Sequence, residues 1–384
     1  MAQTTHNSKA NSNKRSFSVK KTVYRTLTAA MGVTLSLGSL PGHAAPVTDN
    51  LYYTMENQGN TTGNIYEMKA TVSSTGAITY LPSNSIAATG SGSTALGITI
   101  NPNNGQLLVG GGQPGGGFGN DPIYQVNPTT GNVSTATGPG YVNNVVMALG
   151  PNNTVWTTGG SFGGTGPLAS FPINPFGGSG TALPLTGSDT NISSVAFDPK
   201  NNTMYYTSGG LYGNSTGNFG TLNLSTGKTT AILTNQPGLF DLAYDPFSGD
   251  LIAVGNDLIT QITTSGNIVS QLNLNYLNKI GTNLGWQLAN VDPVGNGQLF
   301  VTSAGSQSGY MQYVNYANTG LVGSYDSTSS KYLGFGLFGI TGSILPVTNG
   351  GGGTPSAVPE PSTVVLFLTG LTAIGLFGLT QRRS

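Results

Sequence analysis

The chain has 384 residues, 59 of them glycine, no cysteine, and only 7% charged side chains. Both histidines (His6 and His43) and every arginine lie outside residues 45–358, so that stretch offers no Ser-His-Asp or Cys-His nucleophile and no His- or Cys-ligated zinc. The same stretch has five Lys against twelve Asp and Glu (5 − 12 = −7), a balance that also excludes a phosphate-neutralising nucleic-acid face.

Residues 1–44 read as a secretory signal. Lys14, Arg15, Lys20, Lys21 and Arg25 form a basic region, 27–40 is a moderately apolar run, and Pro41 and Gly42 break it. Small residues at Gly42 and Ala44 fit the −3 and −1 positions of signal peptidase cleavage, with Ala45 as the new start. The alternative is an uncleaved N-terminal membrane anchor.

From residue 51 onward the chain alternates short apolar or β-branched runs with turn residues, which predicts strands. They fall at 51–54, 64–69 and 77–81, then at 95–100, 107–109, 123–126 and 132–135. Strands at 146–149 and 155–157 precede a divergent Pro- and Gly-rich outer half at 159–185. Three fuller sets come next: 195–197, 204–207, 219–224 and 229–233; then 242–244, 251–254, 258–262 and 268–271; then 288–291, 299–302, 311–315 and 321–325. Within these sets Thr75-Gly76, Thr130-Gly131, Thr226-Gly227, Ser265-Gly266 and Thr319-Gly320 mark recurring turns.

The first strand of each set ends in a proline dipeptide, because proline lacks the donor that a strand ladder needs. Asn101-Pro102, Gly150-Pro151, Asp198-Pro199, Asp245-Pro246 and Asp292-Pro293 are separated by 49, 48, 47 and 47 residues. A period of about 40–50 residues is the signature of a propeller blade. A further step of 47 from Val291 reaches Phe338, inside the apolar segment 332–340. The chain thus begins on a second-position strand and ends on a first-position one, so circular closure gives six blades. The predicted fold is an all-β, six-bladed propeller over residues 45–346, and radial repetition removes long exposed edges.

The residue before the last apolar position of each inner strand is small (Thr99, Ala148, Ala196, Ala243, Asn290), which suits strands crowded near an axis. Asp245 and Asp250 have turn-making roles, but Asp241 starts an inner strand where the mouth of a propeller opens. Its counterparts by repeat position, or near it, are Asn143, Asn144, Asn191, Ser194, Asn283 and Gln287, with Trp286 beside them. Such a ring could bind a sugar through amides and an indole face, or Asp241 could hold a weakly bound Ca²⁺. It serves equally as a hydrated channel lining. No catalytic set, metal set or cofactor is assigned. Gly227-Lys228-Thr229 imitates a phosphate loop, but Leu222 stands where the loop's first glycine is needed.

Residues 347–357 are a Gly/Pro linker. Beyond it come Val358, Pro359, Glu360, Pro361, Ser362 and Thr363, an apolar run at 364–379, then Arg382 and Arg383. This order resembles the PEP-CTERM sorting signal, over residues 358–384, and the blade pattern resembles NHL and YVTN-type propellers of exported bacterial proteins. The first resemblance implies an exosortase that cuts at the motif, transient passage through the inner membrane on the C-terminal helix, and release to the cell surface or biofilm matrix of a Gram-negative bacterium that makes exopolysaccharide. The alternative is a permanent tail anchor. Together these readings lead to an expected non-enzymatic surface or matrix protein associated with exopolysaccharide. The alternative function is an extracellular propeller enzyme, polysaccharide lyase-like or metal-dependent lactonase-like, using Asp241 and its neighbouring amides.

Overall fold

The computed structural model describes residues 47–342 except 56–62, 74–76, 91–92, 113–120, 139–143, 145, 159–167, 210–215, 275–286, 296, 305–308, 324–327 and 335–336. The expected signal, linker and sorting segments therefore lie outside the described residues. Among those described, no helix is long and apolar enough to cross a membrane.

The chain opens with β1 (Val47–Met55), β2 (Asn64–Val72) and β3 (Ile78–Tyr80), with β4 (Asn84–Ala88) also on β2. The second blade is β5 (Thr94–Ile100), β6 (Leu107–Gly112), β7 (Ile123–Val126) and β8 (Val133–Ala136). The third is β9 (Val146–Gly150), β10 (Thr154–Thr158), β11 (Leu168–Pro172) and β12 (Thr181–Leu183). After β13 (Thr186–Gly187) comes the fourth: β14 (Ser194–Asp198), β15 (Thr203–Thr207), β16 (Thr216–Leu222) and β17 (Lys228–Pro237). The fifth is β18 (Asp241–Tyr244), β19 (Leu251–Gly255), β20 (Leu258–Ile262) and β21 (Ile268–Asn273). The sixth is β22 (Gln287–Gly295), β23 (Gln298–Ala304) and β24 (Tyr310–Asn315), then the helical turn α1 (Gly320–Gly323) and β25 (Thr328–Tyr332).

The last strand, β26 (Leu337–Gly342), pairs antiparallel with β1, with Leu51 opposite Gly342 and Tyr53 opposite Ile340. It completes the first blade, so the inner strands β5, β9, β14, β18, β22 and β26 neighbour one another in a closed ring of six. Strands such as β6 and β19 are buried at every position, because each is sandwiched between neighbouring blades as well as between its own partners. That is why they read as continuous apolar runs rather than as alternations.

The proline dipeptides end strands by a shared device. The side-chain oxygens of Asn101, Asp198 and Asp245 accept from the backbone N–H two residues on, at 3.0, 2.8 and 3.0 Å. Asp292 departs from this pattern. β22 runs on through Asp292 and Pro293, opposite Phe300 and Leu299, and the Asp292 carboxylate instead accepts from Gly342 N–H at 2.8 Å.

The strand predicted at 321–325 does not form: Leu321 lies in α1, and the fourth strand of that blade is β25. Leu321 explains the shift. It is 1% exposed and packs with Leu272, Leu274 and Tyr316, so the turn tucks an apolar plug beneath the fifth blade before pairing resumes. The predicted segment 332–340 likewise begins too early, since Tyr332 closes β25 opposite Tyr310.

A clasp between blades recurs at one repeat position. The second strands align as Leu51-Tyr52-Tyr53-Thr54, Val155-Trp156-Thr157-Thr158, Met204-Tyr205-Tyr206-Thr207 and Leu299-Phe300-Val301-Thr302. Each closing threonine donates its hydroxyl to a carbonyl at or just before the next inner strand: Thr54 to Leu96, Thr158 to Ser193 (2.6 Å), Thr207 to Phe240 (2.9 Å) and Thr302 to Phe338 (2.5 Å). In the second blade the position is Gly110, where a Cβ would collide with the Asn144 carbonyl oxygen.

Candidate functional site

The inner strands converge on an axial cavity of about 20 Å³, walled by Ile98, Val146, Ile340, Val291, Asn290 and Asp241 among others. Apolar side chains close around it, but the atoms that face the space are mostly polar. Asp241 begins β18 and is 4% exposed. Its Oδ1 accepts from the Ser194 hydroxyl at 2.7 Å and from its neighbour Leu242 N–H at 2.8 Å. Its Oδ2 accepts from Val291 N–H at 2.8 Å and from the Asn290 amide at 3.4 Å. One carboxylate thus ties β14, β18 and β22 together. Burial pushes its carboxyl up to about 6, against the opposing pull of these donors.

A second carboxylate, half-buried, lies on the next blade. Burial pushes Asp292 up to about 6 as well; its hydrogen bonds to Gly342 and Thr341 pull it down and the charge of Asp241 adds to the rise. Asp292 does not line the axial cavity. An ionised carboxylate out of water is costly unless hydrogen-bonded, and both residues meet that cost with backbone N–H donors.

The other sequence candidates separate. Asn144 is fully buried: its amide donates to the carbonyls of Gly111, Asp121 and Pro122 at 3.3, 3.0 and 3.0 Å, and its Oδ1 accepts from the Thr157 hydroxyl at 2.6 Å. It is a pin between the second and third blades. Asn191 is half-buried just before β14, and Gln287 starts β22 opposite Ala304. Asn143, Asn283 and Trp286 lie outside the described residues. Asp241 is not at an open mouth but enclosed, which its position at a strand start did not reveal.

A cation at Asp241 does not fit this arrangement. Three acceptor positions of the carboxylate are filled at 2.7–2.8 Å, only the long 3.4 Å contact with Asn290 leaves a side to one further partner, and among the described residues no three His, Cys, Asp or Glu side chains gather as ligands. One member of the site and one carboxylate beside it went unrecognised in the sequence. Asn290 looked only like a small packing position, and Asp292 only like a turn former. Its dipeptide did not set Asp292 apart, since Val294-Gly295 follows it much as Phe247-Ser248-Gly249 follows Asp245-Pro246.

No known protein-family profile matches the chain, and no curated protein matches it. Solved structures do. The periplasmic gluconolactonase of Pseudomonas aeruginosa is 12% identical with a TM-score of 0.48, covering 78% of this chain and 100% of its own. A putative 6-phosphogluconolactonase from Bacteroides uniformis is 12% identical with a TM-score of 0.44, covering 75% and 84%. The calcium-binding protein regucalcin from Agrobacterium tumefaciens is 14% identical with a TM-score of 0.38, covering 66% and 81%. These likenesses concern the propeller fold alone. The expectation of a non-enzymatic surface or matrix protein does not stand, because propeller folds host enzymes as well as binding proteins and a body without His, Cys and Arg still carries carboxylates able to act as bases.

Proposed function

We propose that the chain is an exported propeller enzyme that hydrolyses a cyclic ester, with Asp241 as general base at the axial cavity. The observation that supports this reading is the cavity wall, where one carboxylate and one amide face a mainly polar-lined space of about 20 Å³. That is room for roughly one water molecule. A lone base beside a water suits an activated carbonyl. Asp241 takes a proton from the water, and the hydroxyl oxygen bonds to the carbonyl carbon. The ring C–O bond then breaks, and the leaving alkoxide receives that proton to give the open hydroxy acid. Glycoside hydrolysis needs two carboxylates flanking one bond, and Asp292 is turned to Gly342 instead.

Acid release from aldonolactones, followed by pH-stat above the buffer blank, is expected to quicken with pH up to about 6 and then level, because the base must be ionised. Ser194→Ala removes a donor that holds the carboxyl down, so the inflection should move upward. Absence of acid release from any lactone, or an inflection indifferent to Ser194→Ala, overturns the assignment. A rise in ultraviolet absorbance on acidic polysaccharide without acid release would favour a lyase.

Export belongs to the same proposal. It is supported by the signal-like residues 1–44, with Ala45 as the first mature residue, and by the ordered tail of Val358 to Thr363, apolar run and Arg382-Arg383. Sixteen residues at about 1.5 Å each reach only about 24 Å, short of a typical hydrocarbon core, while the arginines stay cytoplasmic. Signal peptidase and an exosortase-type enzyme are the processing partners, and the inner membrane holds the intermediate. Alanines at Pro359, Glu360 and Pro361 should leave signal cleavage intact and trap the protein in the inner membrane with its tail attached. Intact mass of the surface fraction checks this: wild-type material still ending at Ser384 would make the tail an ordinary anchor.

A further inference from the structure

A groove of about 690 Å³ lies between the third and fourth blades, at the ends where first strands turn into second strands and third strands into fourth. Its volume is in the range of ligand clefts, roughly 300–1,000 Å³. Phe197, near the end of β14, and Met204 give it an apolar floor; Phe197 is half-buried and Met204 is 2% exposed. Above that floor stand three amides and a cation: Asn152, Asn202, Asn223 and Lys228.

The polar groups come from turns that the fold holds rigidly. Asn152 and Asn202 occupy φ values of 58° and 51° at corresponding turns of adjacent blades, a left-handed conformation that asparagine tolerates. The Asn223 Oδ1 is already taken by Ser225 N–H at 2.9 Å and Thr226 N–H at 3.1 Å, so what remains for a ligand is its amide NH₂. Lys228 comes directly after the Thr-Gly turn of the fourth blade, where the corresponding residues elsewhere are Ala77, Asn132, Asn267 and Leu321. It is exposed and has no ion-pair partner among the described residues. Lys200 and Lys331, by contrast, sit over the rings of Tyr244 and Tyr80 at 6.0 and 5.3 Å.

We propose that this groove binds an acidic saccharide, with Lys228 meeting the sugar carboxylate, the three asparagines meeting hydroxyls, and Phe197 lying against the C–H face of the ring. The chemistry of the lining selects that class. A ring with one apolar face and an edge of hydroxyls matches an apolar floor under amides, and the exposed Lys228 ammonium, with no ion-pair partner among the described residues, gives the anionic member the advantage. The groove is separate from the axial cavity, since Phe197 is near the far end of β14 from Ser194, which contacts Asp241.

Titration calorimetry on the full chain with an oligogalacturonate, its neutral methyl ester and an oligoglutamate tests the assignment. The oligogalacturonate should bind roughly five- to tenfold more tightly than the ester, as one exposed ion pair allows. Lys228→Gln should erase that preference, Lys228→Arg should retain it, and neither should alter lactone hydrolysis or the melting temperature. Absence of oligogalacturonate binding, an equal response to the ester, or binding untouched by Lys228→Gln overturns the proposal. Oligoglutamate binding as tight as the saccharide would reduce the site to charge alone and overturn the saccharide class. Failure of lactone hydrolysis leaves this result standing, because Lys228 takes no part in that chemistry.

Discussion

A chain ending at residue 336 is expected to lose its cooperative unfolding transition, whereas one ending at residue 342 should melt like the full body. β26 supplies Leu337, Phe338 and Ile340, all at most 3% exposed. Burial of such side chains contributes about 1.5–3 kcal/mol each, so their sum approaches the about 5–15 kcal/mol that stabilises a whole domain. The strand is also clasped from both sides. Gly339 N–H donates to the Thr54 hydroxyl at 2.8 Å, the Thr302 hydroxyl donates to the Phe338 carbonyl at 2.5 Å, and Gly342 N–H donates to Asp292 at 2.8 Å. Gly339 itself passes so close to the second blade that a Cβ would lie 2.6 Å from the Leu96 carbonyl. Without β26, β1 becomes a bare edge beside uncovered Leu51 and Tyr53, an invitation to aggregation. Thermal melts by circular dichroism with light scattering decide between the two chains. Equal melting of both would place closure elsewhere.

Stability should fall as pH rises from about 4 to about 6, the reverse of ordinary acid denaturation. Asp241 and Asp292 are both raised to about 6 in the folded chain by burial, while an unfolded aspartate titrates near 3.9. Between those values the folded state keeps protons that the unfolded chain has released. The stabilisation is therefore fully present below the unfolded value and is lost as pH climbs through the folded one. For a shift of about two units the loss is on the order of 3 kcal/mol per group. Asp257, also raised to about 6 by burial, acts in the same direction. Denaturant unfolding at pH 4, 5, 6 and 7 should show this descent. Asp292→Asn should flatten it. Asp241→Asn should flatten it too, but with an added loss of about 1–3 kcal/mol, because an amide NH₂ set against Val291 N–H leaves a buried donor unpaired. Stability that instead climbs steadily from pH 4 to pH 7 would show that neither carboxyl is held protonated by the fold.

The second of these results corrects a natural assumption about Asp241. At the start of an inner strand it looked like a residue of an open mouth. Its position along β18 was legible, but its surroundings were not. Ser194 is 47 residues away and Val291 is 50 residues away, one on each neighbouring blade. The threonine clasp was legible in principle, since Thr54, Thr158, Thr207 and Thr302 stand at one repeat position, yet threonine in a strand is common enough to pass as a strand former. At 321–325 the failure has a different cause. Leu321 obeyed the apolar pattern of a strand, but it fills a hole beneath the fifth blade rather than pairing with β24.

What the amino-acid sequence determined by itself was the blade. Strand alternation, Asx-Pro stops and Thr-Gly turns act over a few residues, and a period of 47–49 repeated along the chain implies both the ring and its closure by the final strand. Only the tertiary structure decided which polar groups meet at the axis and which turns stand side by side in the groove. Those partners belong to different blades, and their meeting depends on how one blade is rotated and raised against the next. Hydrogen bonds need positions correct to a fraction of an ångström. A repeat pattern specifies the order of the blades, but not that rotation, so Asp241, Asp292 and Lys228 acquire their roles only when the ring is closed.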